Sequence, residues 1–183
     1  MSSSRGLKRL IRWSLIAIAA LALVTRVFFV GRYRIPQNGM FPSLPAGTAI
    51  FTAKRAYGDA SKVRRGDIIV FEREEDGQRY NYIWRVVALP GESVQTSGES
   101  LTINGQPAQR KLVREAEGAR IFREQIGDAA YEIAFGPPPD DLLEISLTVP
   151  ADHFFVMGDN RFHARDSREF GPIPFSSIRG KKL

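Results

Sequence analysis

From Tyr33 onward the chain is a series of short β-prone runs cut apart by turn residues, and that pattern confines it to an antiparallel β architecture. The runs are 49–53, 67–71, 80–87, 101–103, 130–135, 144–149 and 154–157. Asn104-Gly105 after Leu101-Thr102-Ile103 predicts a hairpin, because a type I′ turn needs positive φ at both central residues. Pro90-Gly91 closes another strand, and Pro137-Pro138-Pro139 marks a loop. Helical signals are few: 111–123 carries Leu112, Val113 and Ile121, with Gly118 interrupting any period. Residues 58–66 and 106–140 read as polar, irregular loops or a hairpin insertion rather than a second core. The expectation is a mainly β, barrel-like or sandwich-like body over 31–183 with one modest core.

The N-terminal part is different in kind. Residues 1–34 hold seven basic residues and no acidic one, leaving 19 bases against 20 acids in the rest. The net charge of +6 therefore belongs to an arm, and a nucleic-acid-binding body is not expected. Within the arm, 13–30 is an apolar stretch of 18 residues interrupted by Thr25-Arg26. As a helix it would be ~27 Å long, enough for a thin bilayer, with Arg26 snorkelling to the interface. Arg5, Lys8, Arg9 and Arg12 lie in a basic 1–12 segment that predicts a cytoplasmic N-terminus, a single pass through the bacterial cytoplasmic membrane, and an exported body. Two other readings stay open: a cleavable leader ending at Ala20-Leu21-Ala22, and a buried core helix.

Four short motifs follow in order. They are Pro36-Gln37-Asn38-Gly39-Met40-Phe41-Pro42, then 66–71 (Gly-Asp-Ile-Ile-Val-Phe), then 85–92 (Arg-Val-Val-Ala-Leu-Pro-Gly-Glu), and last Gly158-Asp159-Asn160-Arg161 with Asp166-Ser167-Arg168 and Gly171. Together they resemble the bacterial type I signal peptidases, and the likeness runs from Arg26 to about Gly180. Members of that family cut preproteins with a Ser-Lys dyad, in which a desolvated neutral lysine takes the serine proton.

The resemblance implies which chemical groups this chain lacks. The nucleophile position falls on Gly39 and the base position on Trp84. The oxyanion-hole hydroxyl falls on Gln37, and the serine that orients the base falls on Ala164. A glycine has no attacking atom, and an indole N–H donates but cannot accept a proton. Gln37 could still donate to an oxyanion. The residues kept are those with backbone or packing reasons: Ile35, Pro36, Met40 and Pro42 along a peptide groove, and Asp159, Asn160, Arg161, Asp166 and Arg168 as a structural brace. Asp159 and Asn160 suit turn closure, and Asp166 with Arg168 suits an ion pair.

The likeness therefore implies a membrane-bound, non-catalytic scaffold that pairs with exported preproteins, or with pilin-like subunits, as extended peptides; inactive relatives are associated with pilus assembly. The rival is a working signal peptidase that uses other residues. A Ser43–His163 pair is the nearest candidate for that. His153 reads as a strand-edge histidine, and Lys54 and Lys62 as solvated side chains. Tyr82 shares a strand face with Trp84 by the two-residue period. With no cysteine and two histidines, neither a disulfide nor a zinc site is expected, and the resemblance calls for no cofactor or metal.

Overall fold

The computed structural model describes residues 10–21 and 29–183. A helix, α1, covers 10–21, and from Val30 the chain is almost wholly β. Among the described residues no helix is long and apolar enough to cross a membrane. The expected 13–30 span includes 22–28, which lie outside the described residues.

Three antiparallel sheets make up the body. The largest has seven strands: β1 (Val30–Arg34), β2 (Ala49–Lys54), β3 (Ile68–Glu75), β4 (Gln78–Ala88), β12 (His153–Met157), β13 (Ile173–Pro174) and β14 (Ile178–Lys182). Their spatial order is β1-β2-β14-β3-β4-β12-β13. A four-stranded sheet joins β5 (Ser93–Ser97), β6 (Ser100–Ile103), β7 (Gln106–Pro107) and β11 (Ile145–Thr148). A three-stranded sheet is formed by β8 (Gln109–Ala116), β9 (Ala119–Ile126) and β10 (Ala129–Phe135).

Of the two alternatives for 106–140, irregular loop or hairpin insertion, that third sheet is the hairpin one, and 111–123, whose helical period is interrupted, is strand on both sides of a turn. Glu117 and Gly118 have φ of 53° and 73°, so they form the same kind of tight turn as Asn104-Gly105 at 51° and 75°. Gly118 breaks the helical period because it ends a strand.

The core is divided into adjoining apolar clusters. Strand β12 is buried on both faces, and its side chains alternate between two apolar clusters. Phe154 and Val156 enter one with Ile35, Met40, Leu44, Ile69, Phe71 and Trp84. Phe155 and Met157 enter the other with Val87, Val94, Leu101, Tyr131, Ile133 and Phe135. Burying side chains of this size is worth roughly 1.5–3 kcal/mol each. β12 and the end of β4 therefore form a shared wall, and the third sheet closes the second cluster.

Two buried ion pairs lock the loop after β12, one to β4 of this wall and one to the third sheet. Arg85 of β4 donates from Nε to Asp159 at 2.7 Å and from Nη2 at 2.6 Å, and from Nη1 to the Gly66 carbonyl at 2.8 Å. Burial opposes the Arg85 charge, yet the hydrogen bonds and charge of Asp159 hold its pKa above the ordinary value. Two residues later, Arg161 pairs with Glu124 of β9, which also accepts from Arg110 of β8 at 2.7 Å. Asp159 is thus a buried ion-pair partner rather than the turn-closing residue expected.

Candidate functional site

The segment after β1 turns back on itself through local hydrogen bonds. Ile35 N–H donates to the Thr48 carbonyl at 2.9 Å, and Gly47 N–H returns to the Ile35 carbonyl at 2.8 Å. Asn38 Oδ1 accepts from Ala46 N–H at 2.8 Å, and Leu44 N–H donates to Met40. Ile35, Met40 and Leu44 are thereby driven into the first core, and Gly39 is carried inward with them.

The loop after β12 grips this segment from the other side. Asn160 donates its backbone N–H to the Gly39 carbonyl at 3.1 Å and its side-chain amide to the Asn38 carbonyl at 3.2 Å. Behind it, Asp166 begins the short helix α2 (Ser167–Phe170) and accepts from Arg168 N–H at 3.1 Å. The same carboxylate takes Gly158 N–H at 2.9 Å and two guanidinium bonds from Arg168 at 2.8 Å each. Ser167 Oγ accepts from Val156 N–H at 2.9 Å. A carboxylate that fills this many donors fixes the loop relative to β12.

At the junction three small residues, Gly39, Gly158 and Ala164, meet one large ring. A Cβ placed on Gly39 would stand 2.4 Å from Trp84 Cη2 and 2.7 Å from Cζ3. One placed on Gly158 would stand 2.2 Å from Ala164 Cβ, 2.6 Å from the Gly39 carbonyl oxygen and 3.1 Å from Trp84 Cζ3. So Gly39, Trp84 and Ala164, picked out far apart in sequence, are brought together around Gly158. The six-membered ring of the indole takes the space that any side chain on residue 39 would need.

Trp84 is 9% exposed, and its indole N–H is buried without a hydrogen-bond partner. It lies 6.4 Å from the ring of Tyr82, which stacks on Phe71 at 5.7 Å and meets Phe170 at 6.0 Å. The shared face expected of Tyr82 and Trp84 is therefore one side of an aromatic cluster. Burial, with a hydrogen bond to Glu75, raises the Tyr82 pKa. That keeps its hydroxyl protonated.

A cleft of about 330 Å³ opens beside this junction, between Tyr33–Met40 on one wall and Tyr80–Trp84 on the other. Ile35, Pro36, Gln37, Gly39 and Met40 line it, whereas Pro42 lies outside it. Tyr33, Tyr80, Asn81 and Ile83 are lining residues that the motifs did not single out. Both walls have an unpaired strand edge among the described residues. β1 pairs only with β2, and β4 pairs with β12 only from Arg85 onward, which leaves 78–84 bonded to β3 alone.

The lining contains no serine, threonine, lysine, histidine or carboxylate. The Ser43–His163 pair does not assemble: Ser43 Oγ accepts from Arg85 at 3.1 Å, while the His163 ring packs against Gly136. His153 sits at the end of β12, facing Pro174, with Nδ1 2.8 Å from the Ala151 carbonyl. Lys54 ends β2 and Lys62 ends a 3-10 turn, neither on the cleft. Among the described residues no group of histidine, aspartate and glutamate side chains is placed to hold a metal.

The site is thus a cleft between two strand edges beside a buried Arg-Asp brace, and sequence comparison says which family carries it. The family described as signal peptidase, peptidase S26, matches residues 7–183, and the chain belongs to it. It is 34% identical to signal peptidase I of Pseudomonas aeruginosa over 92% of this chain and 68% of that one. Signal peptidase I of Bacillus caldolyticus is 29% identical over 95% of this chain and 88% of its own. A solved signal peptidase I from Enterococcus faecalis matches with 28% identity and a TM-score of 0.41, over 66% of this chain and 96% of that one.

Proposed function

We propose that this chain is a membrane-anchored signal peptidase homologue that holds extended stretches of exported polypeptides without cutting them. One observation carries the reading: the Trp84 ring stands 2.4 Å from where a side-chain atom of residue 39 would begin. On the family's motif those are the base and nucleophile positions. Gly39 offers no attacking oxygen and Trp84 no proton acceptor, so an acyl-enzyme has no route to form.

Peptide holding needs neither group. An extended chain entering between Tyr33–Gln37 and Tyr80–Ile83 would bond to both free edges, adding a strand to the seven-stranded sheet. Main-chain bonds would supply affinity, and the apolar lining would select side chains. The clients are exported preproteins, with pilin-like subunits as one form.

Membrane anchoring rests on the sequence of 13–30 and the basic residues before it. It also rests on α1, where Leu10, Ile11, Trp13, Leu15, Ile16 and Ile18 are exposed. A helix that presents this much apolar surface suits a lipid environment. The body would then stand on the exported face of the cytoplasmic membrane.

The test is to incubate purified full-length protein with a labelled preprotein under conditions in which an active signal peptidase cleaves it. Co-sedimentation of protein with preprotein and no processed product is the expected result. Turnover by this polypeptide alone overturns the reading.

A further inference from the structure

Away from the cleft, the exposed aliphatic surface of the body is concentrated in two short segments. Among the described residues between 30 and 182, the large aliphatic side chains that stand exposed are Leu112, Val113, Leu142 and Leu143. The first two lie midway along β8, and the second two in the loop between β10 and β11. Single surface leucines are ordinary, but adjacent pairs held side by side form a patch. The turn at 97–99 joins them: Ser97 Oγ donates to Glu144 at 2.8 Å, and the Glu99 carbonyl accepts from Arg110. β8 is an edge strand that pairs with β9 alone among the described residues, and a bulge leaves Val113 without a partner there.

Charge divides this patch into halves of opposite sign. Residues 110–114 read Arg-Lys-Leu-Val-Arg, and 140–144 read Asp-Asp-Leu-Leu-Glu. Aligned in the same direction, every base falls on an acid and every aliphatic on an aliphatic. Arg110 is already neutralised by Glu124, and Arg114 meets Glu132. Lys111, Asp140 and Asp141 are exposed, and among the described residues none of the three has an ion-pair partner. Lys111 also stands directly opposite Arg123 on β9, a like-charge pairing that an incoming acid would relieve.

We propose that this patch joins two copies of the chain, the 110–114 segment of each resting on 140–144 of the other about a two-fold axis. A second copy is the occupant these residues specify. A surface that holds a basic strip beside its acidic counterpart is complementary to itself, which is what a two-fold interface requires. The free edge of β8 adds backbone donors and acceptors to the contact. With two aliphatic pairs at its centre the interface is a small one, so association in solution is weak and confinement to a shared membrane strengthens it. The patch residues do not line the cleft, and the proposal stands apart from peptide holding.

The test is sedimentation equilibrium of the full-length protein in density-matched detergent over a wide range of concentration. The expected result is a monomer–dimer equilibrium. It should weaken about tenfold when ionic strength is raised from about 0.05 M to about 0.5 M, where the screening length falls to about 4 Å. Lys111→Glu alone and Asp141→Lys alone should each weaken it about tenfold, since like charges then face one another. Both side chains are exposed, so the melting temperature should not move. The double variant Lys111→Glu, Asp141→Lys restores the pair with its signs exchanged and should bring dimerisation back to within about threefold of wild type. Protein that stays monomeric at every concentration overturns the proposal. So does a dimer indifferent to the single variants, or a double variant no better than either of them. A continuing series of larger species would overturn the closed two-fold arrangement. Peptide holding is read separately, from co-sedimentation with preprotein, so the two readings fail independently.

Discussion

At the scale of single residues, positions 39, 84, 158 and 164 behave as one packing unit, and the consequences for substitution are strongly non-additive. Restoring a serine at Gly39 alone would drive its Cβ into the indole, so Gly39→Ser is expected to destabilise by about 2 kcal/mol, the range of overpacked cores. Only after Trp84→Lys removes the ring does the serine have room. The triple variant Gly39→Ser, Trp84→Lys, Ala164→Ser is therefore expected to fold and to give measurable preprotein cleavage, whereas Gly39→Ser alone gives none. A folded triple variant with no product in the same assay would mean that the groove no longer presents a scissile bond to residue 39. The indole N–H gives a milder check. Trp84→Phe loses ring area but also removes a buried donor without an acceptor, a group costing ~1–3 kcal/mol. Denaturant titration should place its stability within about 1 kcal/mol of wild type.

At the scale of elements, the short helix α2 matters through its first residue. Asp166 accepts from Arg168 N–H, from Gly158 N–H and from the Arg168 guanidinium, so one carboxylate sets the spacing of two segments. Asp166→Ala strands these donors in a buried place and should cost about 3 kcal/mol by denaturant unfolding, more than the ~1 kcal/mol of an exposed helix cap. Which elements could be read in advance follows from the same local logic. Strands over 49–53, 80–87 and 154–157 carry β-branched, aromatic and other apolar residues and are plain in the sequence, each extended by one or two residues at its ends in the structure. β8 and β9 were not: Arg110, Arg114 and Glu124 put charges on strand positions, and their neutralisation partners lie elsewhere in the chain. A buried glutamate reads as a surface residue until Arg161 and Arg110 are seen around it. The site divides in the same way. Its contacts to Gly39, Trp84 and Ala164 were legible because short motifs carry them. The opposite wall of Tyr80, Asn81 and Ile83 depends on where β12 stops pairing with β4, which no local run encodes.

At the scale of the whole molecule, the two larger apolar clusters share β4 and β12, and Glu124 ties the third sheet to the loop beyond them. It lies on β9 in the third sheet and pairs with Arg161 from the loop that grips Gly39, so the far sheet and the cleft stand or fall together. Burial by itself would raise the Glu124 pKa, but the charges and hydrogen bonds of Arg161 and Arg110 outweigh it and hold the carboxyl below its usual value. The sign of the linkage follows. A carboxyl whose folded pKa is depressed contributes stability that is complete above its unfolded value, near ~4.3, and that disappears as pH falls toward the folded pKa. Wild-type stability should thus decline with acid below about pH 4.3, in part through this one group. Glu124→Gln removes the titrating proton and leaves two arginines facing a neutral amide, one of them fully buried. At neutral pH that should cost about 3–5 kcal/mol, the range for a buried pair broken on one side. Below the window the gap between the two proteins should narrow, because wild type has by then protonated the same carboxyl. Urea midpoints measured from pH 7 to pH 3 decide the point: converging curves support this tie, and parallel curves would mean that Glu124 carries no charge in the folded protein.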